Sequence, residues 1–204
     1  MYKNNDKYSL YSCDILRTYD KSIKSVTFTN TFNTTSVTRM GDMIDGAMFF
    51  NCKSLQHVSG LNYINTSNVT DMLGMFDHCE SLISLDLSSF DTSNVIDTAA
   101  LINGCKLLSS LDVSNFDISK NIWMVSMFAN CTNLTKLKLF DISSYKTGIT
   151  MTRFFDDTPG AGNTLVITKF DGSRFSNADL QYLQSKTGDT ALRLATDGTI
   201  TKTG

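Results

Sequence analysis

The sequence predicts an α/β fold: a leucine-rich-repeat type solenoid of about five coils, each a short helix plus a parallel strand, closed by a small α+β C-terminal cap. Three observations predict it. Cys52, Cys79, Cys105 and Cys131 stand 27, 26 and 26 residues apart, and a fixed period of that size means stacked repeats. Around each cysteine, helix-spaced apolar residues precede an L-x-x-L-x-L run. Finally, Glu80 is the sole glutamate among 20 acidic residues, and Pro159 is the single proline. Aspartate bonds its own backbone in turns whereas glutamate favours helix interiors, so this bias announces a turn in every unit.

Taken in chain order, the first 22 residues carry Tyr2, Tyr8, Leu10, Tyr11, Cys13 and Leu16 and are expected to form an N-terminal cap. A degenerate strand at Val26 and Phe28 opens the repeat segment, 23–158. The first full unit holds Met48, Phe49, Cys52, Leu55 and Val58, with about five extra residues, 41–45, before its Met-Phe pair. The clearest unit runs from Ser67 to Thr92. In it Met72, Met75, Phe76 and Cys79 fall at i, i+3, i+4 and i+7, one face of a short helix. Leu82, Leu85 and Leu87 then read as a strand with one buried face, and Phe90 turns inward before the polar turn Asp91-Thr92-Ser93-Asn94. Two further units centre on Cys105 and Cys131, and Met151, Phe154 and Phe155 are a last echo. After Pro159 the pattern changes. A strand at 165–168, a helix signal at 176–183 and a hairpin across Asp197-Gly198 predict a cap or attachment module over 159–204.

The charge balance, 18 basic against 20 acidic residues, supplies no field for nucleic acid or an anionic membrane. No run of about 18 apolar residues is long enough to span a bilayer, and MYKNNDKYSLYS has no apolar stretch suited to secretion. The expectation is a chain that neither inserts in a membrane nor exports itself.

Chemistry is sparse. The cysteine column sits where the apolar face wants a small buried residue, so packed thiols are expected rather than disulfides or a metal. His78 lies beside Cys79, but later units place Gly104 and Asn130 in its slot, which reads as a surface turn rather than a catalytic base. The recurring Asp91, Asp117 and Asp141, with Asn33 and Asn65 in the same slot, read as turn caps rather than as a calcium ladder. The expectation is no enzyme, no cofactor and no metal.

A binding face follows from the strand period of two, which turns the residues between the leucines outward. The candidate partner-binding residues are His57, Ser84, Asp86, Ser110, Asp112, Lys136 and Lys138, a face running from acidic to basic over a short distance with few bulky groups. Trp123 joins them, because it takes the outward slot of Asp71 and Asp97 and exposed tryptophans anchor interfaces. Asn121 stands in the slot of Val69 and Val95, and a one-residue slip there would bury the ring instead.

The segment TSNVTDMLGMFDHCESLISLDLSSFDTSNV, Thr66 to Val95, resembles the BspA-like leucine-rich repeats of bacterial surface proteins, over about residues 24–158. The resemblance implies display outside the cell and recognition or adhesion, with a protein or glycan as the partner. Without an export signal, the expectation is a segment of a longer cell-surface protein. The alternative is a bacteriophage virion component, assembled or oligomerised through its C-terminal segment.

Overall fold

The computed structural model describes residues 22–30, 34–41, 47–144 and 148–204. Most of the expected N-terminal cap, with Cys13, and positions 42–45 of the expected insertion lie outside these residues, as does Asn33. The solenoid of helix-plus-strand coils is not what forms. Among the described residues there is one α-helix, and it lies beyond the repeats; the strands belong to a two-stranded parallel sheet and a five-stranded mixed sheet.

The helix prediction fails for a definable reason. From Met72 to Cys79 the backbone N–H groups alternate in where they donate. Those of Met75, Asp77 and Cys79 close tight turns on the carbonyls of Met72, Gly74 and Phe76 at 3.2, 3.0 and 3.2 Å. Those of Met72, Gly74, Phe76 and His78 instead reach the next repeat, to the carbonyls of Asp97, Ala99, Leu101 and Asn103 at 2.8–3.0 Å. Donors committed to a neighbour are not available to an i−4 carbonyl, so no α-helix propagates. The same alternation ties Thr98–Gly104 to the repeat after it, and Met124–Asn130 to the next.

Each double turn requires two left-handed residues four apart. They are Gly74 and His78, then Ala100 and Gly104, Ser126 and Asn130, Arg153 and Asp157, all with φ between 50° and 72°. A four-residue turn returns its apolar side chains to one side at i and i+4, which is why Met72, Met75, Phe76 and Cys79 mimic a helical face while all four are buried. One substitution separates the two structures. Gly104→Ala would stabilise a helix by about 1 kcal/mol. Here, with φ at 72° and a new Cβ 3.3 Å from the His78 Cα, it is expected to destabilise by about 1–2 kcal/mol. Urea denaturation of the two proteins gives the sign.

The strands are short. β1 (Ser25–Thr27) pairs in parallel with β2 (His57–Ser59), and a single bridge joins His57 to Ser84. β3 (Ser110–Asp112) pairs in parallel with β4 (Lys136–Lys138), which pairs in parallel with β5 (Thr164–Thr168). No backbone hydrogen bond joins 84–87 to β3. Asn115 spans that opening, its amide nitrogen donating to the carbonyls of Leu87 and Phe90 at 3.1 Å. The strand, helix and hairpin of the tail do form: β5, then α1 (Asn177–Thr187), then β6 (Arg193–Leu194) and β7 (Ile200–Thr203). β7 runs antiparallel beside β5, giving the sheet order β3-β4-β5-β7-β6. Ser176 and Asp179 cap α1 reciprocally, and Gly188 ends it at φ 72°.

One continuous core fills the repeats and reaches the tail through Leu165, Ile167, Phe175, Leu183, Leu192 and Ile200. Leu82 and Leu87 are fully buried, whereas Leu85, beside the open ladder, packs against the core only in part.

Candidate functional site: a groove on the strand face

The site begins with strand alternation. Leu111 and Leu137 turn inward between Ser110 and Asp112, and between Lys136 and Lys138, so the flanking side chains face out. Parallel register lines these up as rows: Ser110 beside Lys136 beside Val166, and Asp112 beside Lys138 beside Thr168. Serine and threonine rise little above the sheet. With segment 84–88 as one wall, the result is an open groove of about 870 Å³.

Six of the eight sequence-predicted residues line it: Ser84, Asp86, Ser110, Asp112, Lys136 and Lys138. The other two do not. His57 is exposed on β2, bridged to Ser84 but outside the groove. Trp123 belongs to a second ladder, Arg39-Asp71-Asp97-Trp123-Thr150, where its ring is 48 % exposed beside exposed Ile122 and Ile96. The slip that would bury it does not occur. Asn121 takes the buried position instead, donating to Thr98 Oγ1 at 3.0 Å while its own Oδ1 is left unpaired.

The groove's charges are segregated. Asp86 accepts the Ser88 N–H at 3.0 Å, and the Ser88 hydroxyl and N–H together hold its carboxyl below the usual aspartate range. Partial burial pushes Asp112 upward, but Ser114 and Lys138 prevail and the net shift is downward. Lys138 Nζ lies 3.6 Å from Asp112 Oδ2. Among the described residues Lys136 has no carboxylate within salt-bridge distance and Asp86 has no cation. The groove thus carries two carboxylates toward one end and two ammonium groups toward the other.

Aspartate predominates because it closes the turn two residues on. Asp71, Asp86, Asp91, Asp97, Asp112, Asp117 and Asp141 each accept the N–H of residue i+2 through Oδ1, at 2.8–3.0 Å. Asn65 does the same for Ser67. Behind this turn runs a ladder that the sequence reading missed. Thr34, Thr66 and Thr92 are buried, and each hydroxyl donates to the carbonyl and accepts from the N–H of one residue in the next repeat: Asn65, Asp91 and Asp117. Its sequence trace is the threonine after the turn Asp or Asn, read there as loop polarity.

The lone glutamate has a separate explanation. Lys53, Glu80 and Lys106 occupy one slot in three successive repeats, and Glu80 bridges both lysines at 2.8 and 2.9 Å. Hydrogen bonds from the two lysines hold its carboxyl at about 2. A depressed carboxyl stabilises the fold above its unfolded value near 4.5, and that contribution is lost as pH falls through about 2. Glu80→Gln is therefore expected to cost about 0.5–1 kcal/mol at pH 5–7, the size of an exposed ion-pair network, with the difference shrinking toward pH 2. Urea titrations of both proteins across that range measure it.

No cysteine among the described residues lines the groove. Cys79, Cys105 and Cys131 are buried and free, and each thiol donates to a turn carbonyl one repeat back, Phe49, Phe76 and Ile102, at 3.2–3.3 Å. Burial raises all three, Cys131 to about 12. In the following repeat Thr158 takes the slot, its hydroxyl donating to the Phe128 carbonyl at 2.6 Å. His78 Nδ1 lies 2.6 Å from Asp77 Oδ1, and Asn103 and Asn130 extend this polar chain along the repeats. Burial raises Asp77, opposed by His78 and Asn103. The Cys79 thiol points away into the core. Among the described residues no group of three His, Cys, Asp or Glu side chains is arranged to hold a metal ion, and no helix is long and apolar enough to cross a membrane.

Fold and groove together define a repeat protein in which a constant core and turn frame present variable outward side chains. A family model described as Mycoplasma protein of unknown function, DUF285, matches residues 14–56 and 47–167, and the chain belongs to that family. It is a repeat family related to BspA-like surface proteins. Comparison with curated proteins and with solved structures returned no match.

Proposed function

We propose that this protein is a non-enzymatic recognition module that takes a protein or glycan partner in the groove of its strand face, at a cell surface. The observation that carries the reading is the convergence of Asp86, Asp112, Lys136 and Lys138 on one concave surface floored by small side chains. Open clefts with a few placed polar groups are where ligands bind. The family supports display outside the cell, and the wording of Thr66–Val95 supports placing the units with the BspA-like repeats.

Exposed charges contribute little to folding but steer and select partners. Replacing Asp86, Asp112, Lys136 and Lys138 together by Asn and Gln is expected to leave the denaturation midpoint nearly unchanged. The same change is expected to abolish binding to whatever protein and glycan arrays capture the parent. Equal capture of parent and variant would sink this face as the binding site.

A further inference from the structure

Resting on that reading, we infer that the occupant of the groove is an extended polypeptide segment bearing one cation and one anion, rather than a glycan. Two observations separate these polymers. The first is charge. Asp86, Asp112 and the pair Lys136 and Lys138 lie on three successive repeats, and of these groups Asp112 and Lys138 pair with each other. A neutral sugar chain covering the groove would desolvate Asp86 and Lys136 without pairing either, which is costly. An acidic sugar chain would pair with Lys136 while meeting repulsion from both carboxylates. A polypeptide carries both signs within a short length.

The second is the absence of a stacking surface. Among the described residues no aromatic side chain lines the groove. Its surface is aliphatic, hydroxyl and charged, a lining that offers no flat ring for a pyranose and suits a backbone laid close to the sheet.

Geometry sets the spacing. Asp86 and Lys136 stand two repeats apart: β3 and β4 are about 4.8 Å apart, and the unbonded step from β3 to segment 84–87 is no shorter, so the two are at least about 10 Å apart across the face and one strand pleat apart along it. The separation between their rows is then at least about 12 Å. In an extended peptide, side chains four residues apart lie on one face about 13 Å apart. The predicted ligand therefore carries Lys or Arg and Asp or Glu on one face at least four residues apart, at i and i+4 or i and i+6.

The test uses the full chain and immobilised ten-residue peptides of Ser, Thr and Gly. One series places Lys and Glu one to six residues apart; controls carry Lys alone, Glu alone or neither. Neutral and acidic oligosaccharides form a second panel. The expected result is strongest binding at a four- or six-residue separation, weakened about 2- to 5-fold when either charge is removed, as for one ion pair. Asp86→Asn should erase the requirement for Lys and Lys136→Gln the requirement for Glu, which a merely structural role would not do. Peptide binding that ignores charge, or no peptide binding, overturns the inference. Sugar binding lost in the same two variants also overturns it, but leaves the groove standing as the recognition site. Sugar or peptide binding unaffected by either variant removes both.

Discussion

Phe76→Ala is expected to cost about 3–5 kcal/mol, the range for truncating a fully buried aromatic. The ring stacks on Phe49 of the preceding repeat, 5.1 Å between centroids and 12° from parallel, and no part of it reaches solvent. Its loss opens a cavity that neighbouring rings cannot close, because the turn backbone on either side is tied to adjacent repeats. The Phe76 carbonyl also accepts the Cys79 N–H and the Cys105 thiol, so relaxation at residue 76 would loosen the following turn as well. Thermal and urea denaturation measure the loss. A cost below about 1 kcal/mol would mean that the repeats are packed far less tightly than described.

Thr66→Val, which changes the side chain's volume hardly at all, is expected to cost about 2–3 kcal/mol. The Thr66 hydroxyl donates to the Asp91 carbonyl at 3.0 Å and accepts the Asp91 N–H at 2.7 Å. Valine leaves both main-chain groups without that partner beside a buried side chain, and an unmet buried group costs about 1–3 kcal/mol. Thr66→Ser keeps the hydroxyl and should lose much less. Equal losses for Val and Ser would assign Thr66 to methyl packing and remove the ladder from the account of stability. The later repeats show that the bridge is not required everywhere, since Ile118 and Ile142 fill the same slot by burial alone.

The repeat and its buried residues were legible because they rest on period and apolarity. Val69, Met72, Met75, Phe76, Cys79, Leu82 and Leu87 are all buried, and the outward rows of β3 and β4 fall where alternation placed them. The helix was misread because a succession of four-residue turns and an α-helix both return side chains at i+4, so apolar spacing alone does not distinguish them. The column Asn51, His78, Gly104, Asn130 carried the missing information. Glycine, asparagine and histidine are enriched where φ is positive, and a recurrent left-handed position every 26 residues is incompatible with helix continuation. At the candidate site, strand alternation found the groove residues. It set His57 on the same face but did not show that the groove stops short of it. Trp123 read as outward only through its slot, and the structure places it on a separate ladder. The threonine bridges were hidden because their partners are main-chain atoms a full repeat away.

The alternating donation of backbone N–H groups has a consequence for how such chains change over generations. Through these turns the repeats around Cys79, Cys105 and Cys131 bond to their neighbours in one pattern, whatever side chains they display. An in-frame duplication or loss of one 26-residue unit would therefore keep the turn bonds matched, lengthening or shortening the ribbon by about 4.8 Å where the strands pair. Every unit added this way brings its own outward pair of side chains, such as Ser110 with Asp112 or Lys136 with Lys138, so new charge patterns arise by recombining whole units while the buried frame stays the same.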